Sequence, residues 1–274
     1  MKQNDEASVI AGVGSLAVKA HEDALERRQF LIILFRILFG IALFSFWEFS
    51  SGRLIDKLFI SSPSAVFARL WKWILDGTLM NHLSITLYAT FLGFILGSVI
   101  GFSIGLIFGR FHTLADILDP YITALYSIPK IALAPLFIIW FGIGIESKVA
   151  VSASIVFFVV FLNTYAGVRD VNPLYLNSLF IMGGSQISIL RYVIIPSASS
   201  WVITGLKVSV PYALVGTVIG EFMSSNRGIG FLISQATGLF DTTSVFSGIV
   251  ILAIIGAVFN DGLGRLEKYL LRWK

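Results

Sequence analysis

Between Leu83 and Phe108 the chain runs for 26 residues without a charged side chain. As an α-helix that run would be about 39 Å long at 1.5 Å per residue. It exceeds the roughly 30 Å hydrocarbon core of a bilayer. Five further apolar runs can be read, at about Phe30–Phe49, Pro120–Phe141, Val149–Val168, Ser197–Phe222 and Val245–Leu263. A spanning segment must satisfy its own backbone N–H and C=O groups, which leaves helices and closed barrels. These runs are continuously apolar rather than alternating, so helices are expected. The charged fraction is 13%, against about 25% in soluble domains. The expected fold is therefore an all-α integral membrane chain of about six transmembrane helices, with residues 1–29 as a tail and 30–274 as the transmembrane domain.

Orientation follows from where Lys and Arg sit beside the spans. With the N-terminus in the cytoplasm, eleven of them fall inside, among them Arg27, Arg28, Arg110, Arg169, Arg191 and Arg265, and six fall outside, among them Arg53, Lys57, Arg69 and Arg227. That bias favours cytoplasmic N- and C-termini in a plasma (inner) membrane protein. Residues 1–29 mix both charge signs ahead of a run long enough to span, which is unlike a secretory signal. They read as a disordered or loosely helical extension. The excess of base belongs to these inner segments and does not call for nucleic acid.

Several stretches depart from plain spans. In "SSPSAVFARLWKWILDGTL", Ser62-Pro63-Ser64 is a helix-start signal, and Val66, Phe67, Leu70, Trp71, Ile74 and Leu75 repeat at helical spacing. A short interfacial helix is expected there, with Trp71 and Trp73 at headgroup level. Span two carries Gly93, Gly97, Gly101, Gly105 and Gly109, one every four residues. Such a stripe lets another helix approach closely, either within the chain or from a second copy. Span three, "YSIPKIALAPLFIIWFGIG", holds Pro129 and Pro135, which bend or break a helix. Lys130 lies between them. It either sits in the membrane, which is costly without a purpose, or snorkels to the headgroups from a segment that begins near Ile131. Glu221 lines a polar path, forms an ion pair or marks the outer end of span five, and the segment after it reads as a short helix or re-entrant piece.

No chemistry-bearing constellation stands out. There is no cysteine, and His21, His82 and His112 are scattered. No phosphate loop of the GxxxxGK[ST] type occurs, nor any catalytic or metal set, so no enzyme activity, metal or cofactor is expected in this chain. Transport, if driven, would draw energy from a partner or an ion gradient.

The segment "NPLYLNSLFIMGGSQISILRYVIIP", Asn172–Pro196, is neither a span nor a solvated loop. Asn172 can cap a helix with Pro173 at its first position. Gly183 or Gly184 can end it in a left-handed conformation. Ser185 can cap a second short helix, and Pro196 can start span five. The product is an uncharged apolar elbow, which either docks in a partner's groove or lies against the inner leaflet or the bundle.

This elbow, together with "SSPSAVFARLW", "SIPKIALAPLFIIWFGIGIESK" and "GEFMSSNRGIGFLI", resembles the permease subunit of binding-protein-dependent ABC importers, in the nitrate/sulfonate/taurine group. That family's cytoplasmic signature is Glu-Ala-Ala, three residues, Gly, nine residues, then Ile-x-Leu-Pro. Gly183, Val193, Ile195 and Pro196 match the spacing, and Asn177, Ser178 and Leu179 stand in place of Glu-Ala-Ala. The resemblance implies a coupling helix, with Asn177, Ser178, Leu179, Gly183, Gly184 and Pro196 at its contact with a cytoplasmic ATPase subunit that binds ATP and Mg. It implies a second permease copy as a homodimer, a periplasmic or lipid-anchored substrate-binding protein, and alternating access for a small anionic solute such as a sulfonate, taurine or nitrate. Ser127, Lys130, Tyr212 and Glu221 are then expected along the translocation pathway. A stand-alone secondary transporter or channel is the alternative; it would carry paired ionisable residues in its spans and often an internal repeat.

Overall fold

The computed structural model describes the backbone of residues 2–223 and 226–270, and the side chains of 25–223 and 226–265 except residue 26. The chain divides into two compact units, residues 1–64 and 65–274.

In the first unit, helix α1 (Lys2–Ser50) runs without interruption across the expected tail boundary at residues 29 and 30. Its apolar part, Arg27–Ser50, is long enough to span. The turn after it is tied back on itself. Trp47 Nε1 donates to Ser61 O at 2.6 Å, and Ser51 Oγ donates to Ile60 O at 3.0 Å. Glu48 accepts from Ser64 N at 2.9 Å and Ser64 Oγ at 2.6 Å, which satisfies an orphan N–H at the start of helix α2 (Pro63–Leu75).

The second unit holds the remaining helices: α3 (Thr78–Arg110), α4 (His112–Ser127), α5 (Ala134–Phe141), α6 (Ile145–Arg169), α7 (Pro173–Ile181), α8 (Gln186–Ile189), α9 (Ile195–Met223), α10 (Ile229–Gly238) and α11 (Thr242–Leu270). Helices α3, α6, α8–α9 and α11 are long and apolar enough to cross a membrane, and α4 with the α5 segment forms one further span bent by 83°. The six expected spans are all present.

Helix α6 is gripped from two sides. A Cβ on Gly97 would lie 2.6 Å from Ala153 O, on Gly101 2.7 Å from Phe157 O, and on Gly105 2.8 Å from Phe161 O. Gly93 and Gly109 meet α6 at Ser152 and Val168 in the same way. The glycine stripe therefore serves a partner within the chain. From α9, a Cβ on Gly216 would lie 2.6 Å from Ser152 Cα and one on Gly220 2.9 Å from Lys148 Cα, both on α6. Small residues matter here because lipid tails are as apolar as Leu, so close packing rather than the hydrophobic effect holds membrane helices together. Gly97→Val adds a branched three-carbon side chain whose Cβ alone would already crowd the Ala153 carbonyl and the Val156 side chain. It is expected to cost about 3 kcal/mol, the upper range for overpacking, and to lower the thermal midpoint of the purified protein. Gly256→Val is the matched control, since nothing lies within 4 Å of a Cβ there.

Helix α2 corrects one expectation. Its apolar residues split into two stripes. Val66 and Trp73 are buried, and Trp73 packs with Leu214, Val218, Ile229, Leu232, Ile233, Ile251 and Ile255. Phe67, Trp71, Ile74 and Leu75 face outward. Trp71 is thus free for an interface, whereas Trp73 is part of the protein core. Arg69 pairs with Asp241 at 2.8 Å. Asp241 caps α11 through Ser244 N at 3.1 Å. Partial burial pushes the Asp241 carboxyl up, but the Ser244 hydrogen bonds and the Arg69 charge outweigh it and hold it below its ordinary value.

A second correction concerns span five. Rather than starting at Pro196, the helix is continuous from Gln186 to Met223. It passes through a π turn over Leu190–Ile194. The wide turn lies just before Pro196, whose missing N–H already interrupts the hydrogen-bond ladder.

Candidate functional site

The elbow is built by local capping. Asn172 Oδ1 accepts from Leu174 N at 2.9 Å, with Pro173 at the first position of α7. At the other end, Gly184 N bonds Leu179 O at 2.9 Å and Gly183 N bonds Phe180 O at 3.0 Å. This is a Schellman motif, and it needs Gly183 at φ +78°. Ser185 then accepts from Ser188 N at 3.2 Å and starts α8.

The elbow has an inner and an outer face. Leu176 and Leu179 turn inward onto Val168, Ile189, Ile194 and Ala198. Arg110, at the end of α3, donates to Gln186 on α8. A crevice of about 230 Å³ is lined by Arg110, His112, Asn177, Phe180 and Gln186 among others. Asn177, Ser178, Gly183 and Pro196 are exposed, and Gly184 is half-buried against Leu179. The outer face is apolar: Phe180 is 67% exposed, Ile181 83%, Met182 82% and Ile187 76%. Of the expected contact residues, Leu179 faces the bundle while Asn177, Ser178 and Gly183 share the outward surface. Ile181 and Ile187 join that surface and are not set apart by any signature spacing; only their place on the capped elbow turns them outward.

The broken span makes the second feature. Helix α4 ends at Ser127, Ile128 and Pro129 are extended, and a 3-10 turn over Lys130–Leu133 leads into α5, where Pro135 sits in the first turn. A cavity of about 410 Å³ opens beside the break, lined by Tyr126, Lys130, Phe158, Asn163, Val208 and Tyr212 among others. Of the four residues expected along the pathway, Lys130 and Tyr212 are brought to one cavity. Ser127 does not line it; its Oγ donates to Thr123 O at 2.8 Å. Phe158 and Asn163 complete the wall from α6, and nothing in their sequence surroundings marks them.

Glu221 sits elsewhere. It is 1% exposed, near the end of α9 remote from the elbow. Its carboxylate accepts from Thr86 Oγ1 at 2.8 Å and from Gly230 N at 2.7 Å. Thr86 Oγ1 in turn accepts from Ile229 N at 2.9 Å. Gly228 N donates to His82 Nδ1 at 3.0 Å, and Lys148 Nζ donates to Arg227 O at 3.1 Å. Three helices thereby hold the turn leading into α10. The role is a buried polar joint, and no sequence signal distinguishes Thr86 from the other Ser and Thr residues of the run, Ser84, Thr90, Ser98 and Ser103.

Comparison with known proteins decides the family. The sequence matches the family model "Binding-protein-dependent transport system inner membrane component" over residues 93–270. The chain belongs to that family. It is the integral inner-membrane permease component of an ABC importer. The match runs from within α3 to α11 and so takes in the glycine stripe, the broken span, the elbow, and Glu221 with the Gly228–Gly230 turn, while His82 and Thr86 lie before it. Among similar proteins, the riboflavin transport system permease protein RibX of Chloroflexus aurantiacus is 35% identical over 215 residues, covering 78% of this chain and 80% of RibX. The taurine transport system permease protein TauC of Escherichia coli is 30% identical over 239 residues, covering 85% of this chain and 87% of TauC. In fold, the permease is similar to a chain of the inward-facing MetNI methionine ABC transporter, with a TM-score of 0.62 at 17% identity over 72% of this chain and 96% of that chain.

Proposed function

We propose that two copies of this permease form one translocation unit, each docking its elbow on a cytoplasmic ATPase subunit that holds ATP and Mg. A substrate-binding protein delivers the solute on the opposite side. The observation that carries this reading is the elbow: a rigidly capped helix pair with an exposed, uncharged, apolar outer face. Such a face is stable in water only when covered. The excess of Lys and Arg beside the elbow-side ends of the spans supports a cytoplasmic setting for that end and for both termini.

The cavity beside the break in the third span carries the polar groups of Lys130, Asn163 and Tyr212. Polar groups there face other protein or water rather than lipid, which supports closure by the second copy. Continuity of α8 with α9 makes the elbow one rigid lever with span five, so a shift of the ATPase would reach Tyr212 directly. The solute is of the small sulfonate or taurine kind, in keeping with the relative TauC.

The test is reconstitution of the permease in liposomes with its ATPase and binding protein, following labelled taurine. Uptake is expected only with all components and ATP. Uptake by the permease alone, without ATP, would overturn the reading in favour of a stand-alone transporter. ATP-dependent uptake of other solutes but not of taurine would overturn the solute assignment and leave the importer intact.

A further inference from the structure

A lysine at a break in a membrane span invites the role of an anion ligand. Its geometry here indicates otherwise. Lys130 Nζ donates to Leu125 O, Tyr126 O and Ile128 O, each at 2.8 Å. An ammonium has three N–H donors, so all three are engaged. Their acceptors are the final carbonyls of α4 and the first carbonyl beyond it, which the break deprives of helical partners. These carbonyls also form the negative end of the α4 dipole, where a cation is favoured. The ring of Phe158 lies 4.2 Å from Nζ and that of Tyr126 5.5 Å, so the remaining surface of the ammonium rests on aromatic faces.

The same position explains how a break survives at membrane depth. Pro129 prevents the helix from continuing through it. Unpaired carbonyls in hydrocarbon are costly. Lys130, one residue after the proline, folds back to cover them. Charge and carbonyls satisfy each other, and the bend of 83° is held.

We propose that Lys130 is a positioning residue: it caps the broken end of α4 and sets the bend, and it is not the charge that receives the solute. Contact with a solute falls to the neutral groups of the cavity. Tyr212 is the leading candidate, because its phenol is half-exposed in the cavity and makes no hydrogen bond among the described residues. This inference concerns the geometry of the chain itself and stands whether or not the solute assignment above does.

The permease contains no cysteine, so spin labels can be placed cleanly. Tyr121→Cys on α4 and Ile139→Cys on α5 are both exposed positions. Their separation is measured by pulsed electron resonance in nanodiscs, with no solute present. Lys130→Arg keeps charge and donors and is expected to reproduce the parent distance distribution. Lys130→Met removes both; its distribution is expected to broaden or shift by about one helical turn, ~5 Å. Lys130→Gln, with two donors and no charge, falls between them and decides the matter if the Met variant does not insert. Parent-like distributions for both Met and Gln would overturn the proposal, since an anion ligand leaves the solute-free geometry unchanged. An Arg variant as broad as Met would overturn it as well.

Discussion

Glu221→Ala is expected to remove most of the folded permease. The carboxylate is 1% exposed and accepts from Thr86 Oγ1 and Gly230 N. Truncation leaves the buried Gly230 N–H without an acceptor, at a cost of about 1–3 kcal/mol, and leaves Thr86 Oγ1 with only the longer 3.3 Å contact to His82 O. It also leaves Lys148, 4% exposed, without the nearby opposite charge. Removing one partner of a buried charged network costs about 3–5 kcal/mol, and these contributions overlap rather than add. A total of about 3–5 kcal/mol is a large part of the stability of an ordinary domain. The measurement is the thermal midpoint and monodispersity of purified protein. Glu221→Gln keeps the volume and one acceptor, so it should lose less. Gly228→Ala should approach the Ala variant at Glu221, because a Cβ on Gly228 falls on the Glu221 carboxylate and the backbone there has φ +125°. Glu146→Ala, at an exposed position on α6, should change little. A Glu221→Ala protein that melts within about 2 °C of the parent, well under the shift of several kcal/mol, would show that the polar joint does not hold the bundle.

The second large effect is expected on the elbow. Met182→Glu and Ile181→Glu place charge on side chains 82% and 83% exposed, so the free permease should fold and insert as before. In a docked complex the same carboxylates would be buried without a partner. That penalty is several kcal/mol, and a loss of roughly 3 kcal/mol alone is more than a hundredfold in affinity. Co-purification with the ATPase and ATP-driven uptake are expected to disappear together. Leu179→Glu would also abolish coupling, but for another reason: Leu179 packs on Val168 and Ile189, so the elbow itself would come apart. The contrast separates docking from folding. If the Met182→Glu and Ile181→Glu proteins retain the ATPase and transport normally, the exposed apolar face is not where the partner sits.

The elbow was legible in sequence because its signals are local. Asn172-Pro173, Gly183-Gly184 and Ser185 each act on backbone groups within five residues, and their physics needs no partner from elsewhere in the chain. The glycine stripe was legible as a packing face for a related reason: a four-residue repeat forms a continuous groove that winds slowly round a helix, about 40° per step, whatever it meets. The bend after Ser127 followed from Pro129, which cannot continue a helix anywhere.

What escaped depends on distant neighbours. Trp71 and Trp73 are two residues apart in a single amphipathic helix, yet one faces outward and the other enters the core. The difference lies in Ile229, Leu232 and Ile251, more than 150 residues away. Glu221 looked as much like a pathway residue as a structural one, until Thr86 and the Gly228–Gly230 turn closed around it. Lys130 invited an anion until its ammonium was found on the carbonyls of α4. Length, apolar runs and local caps by themselves determined that this chain is a helical membrane protein with a broken third span and an apolar elbow. Only the tertiary structure decided which helix fills the glycine groove and what each buried charge touches. Span formation and capping are paid back within a few residues, whereas the partner of a buried charge is chosen by how remote helices pack.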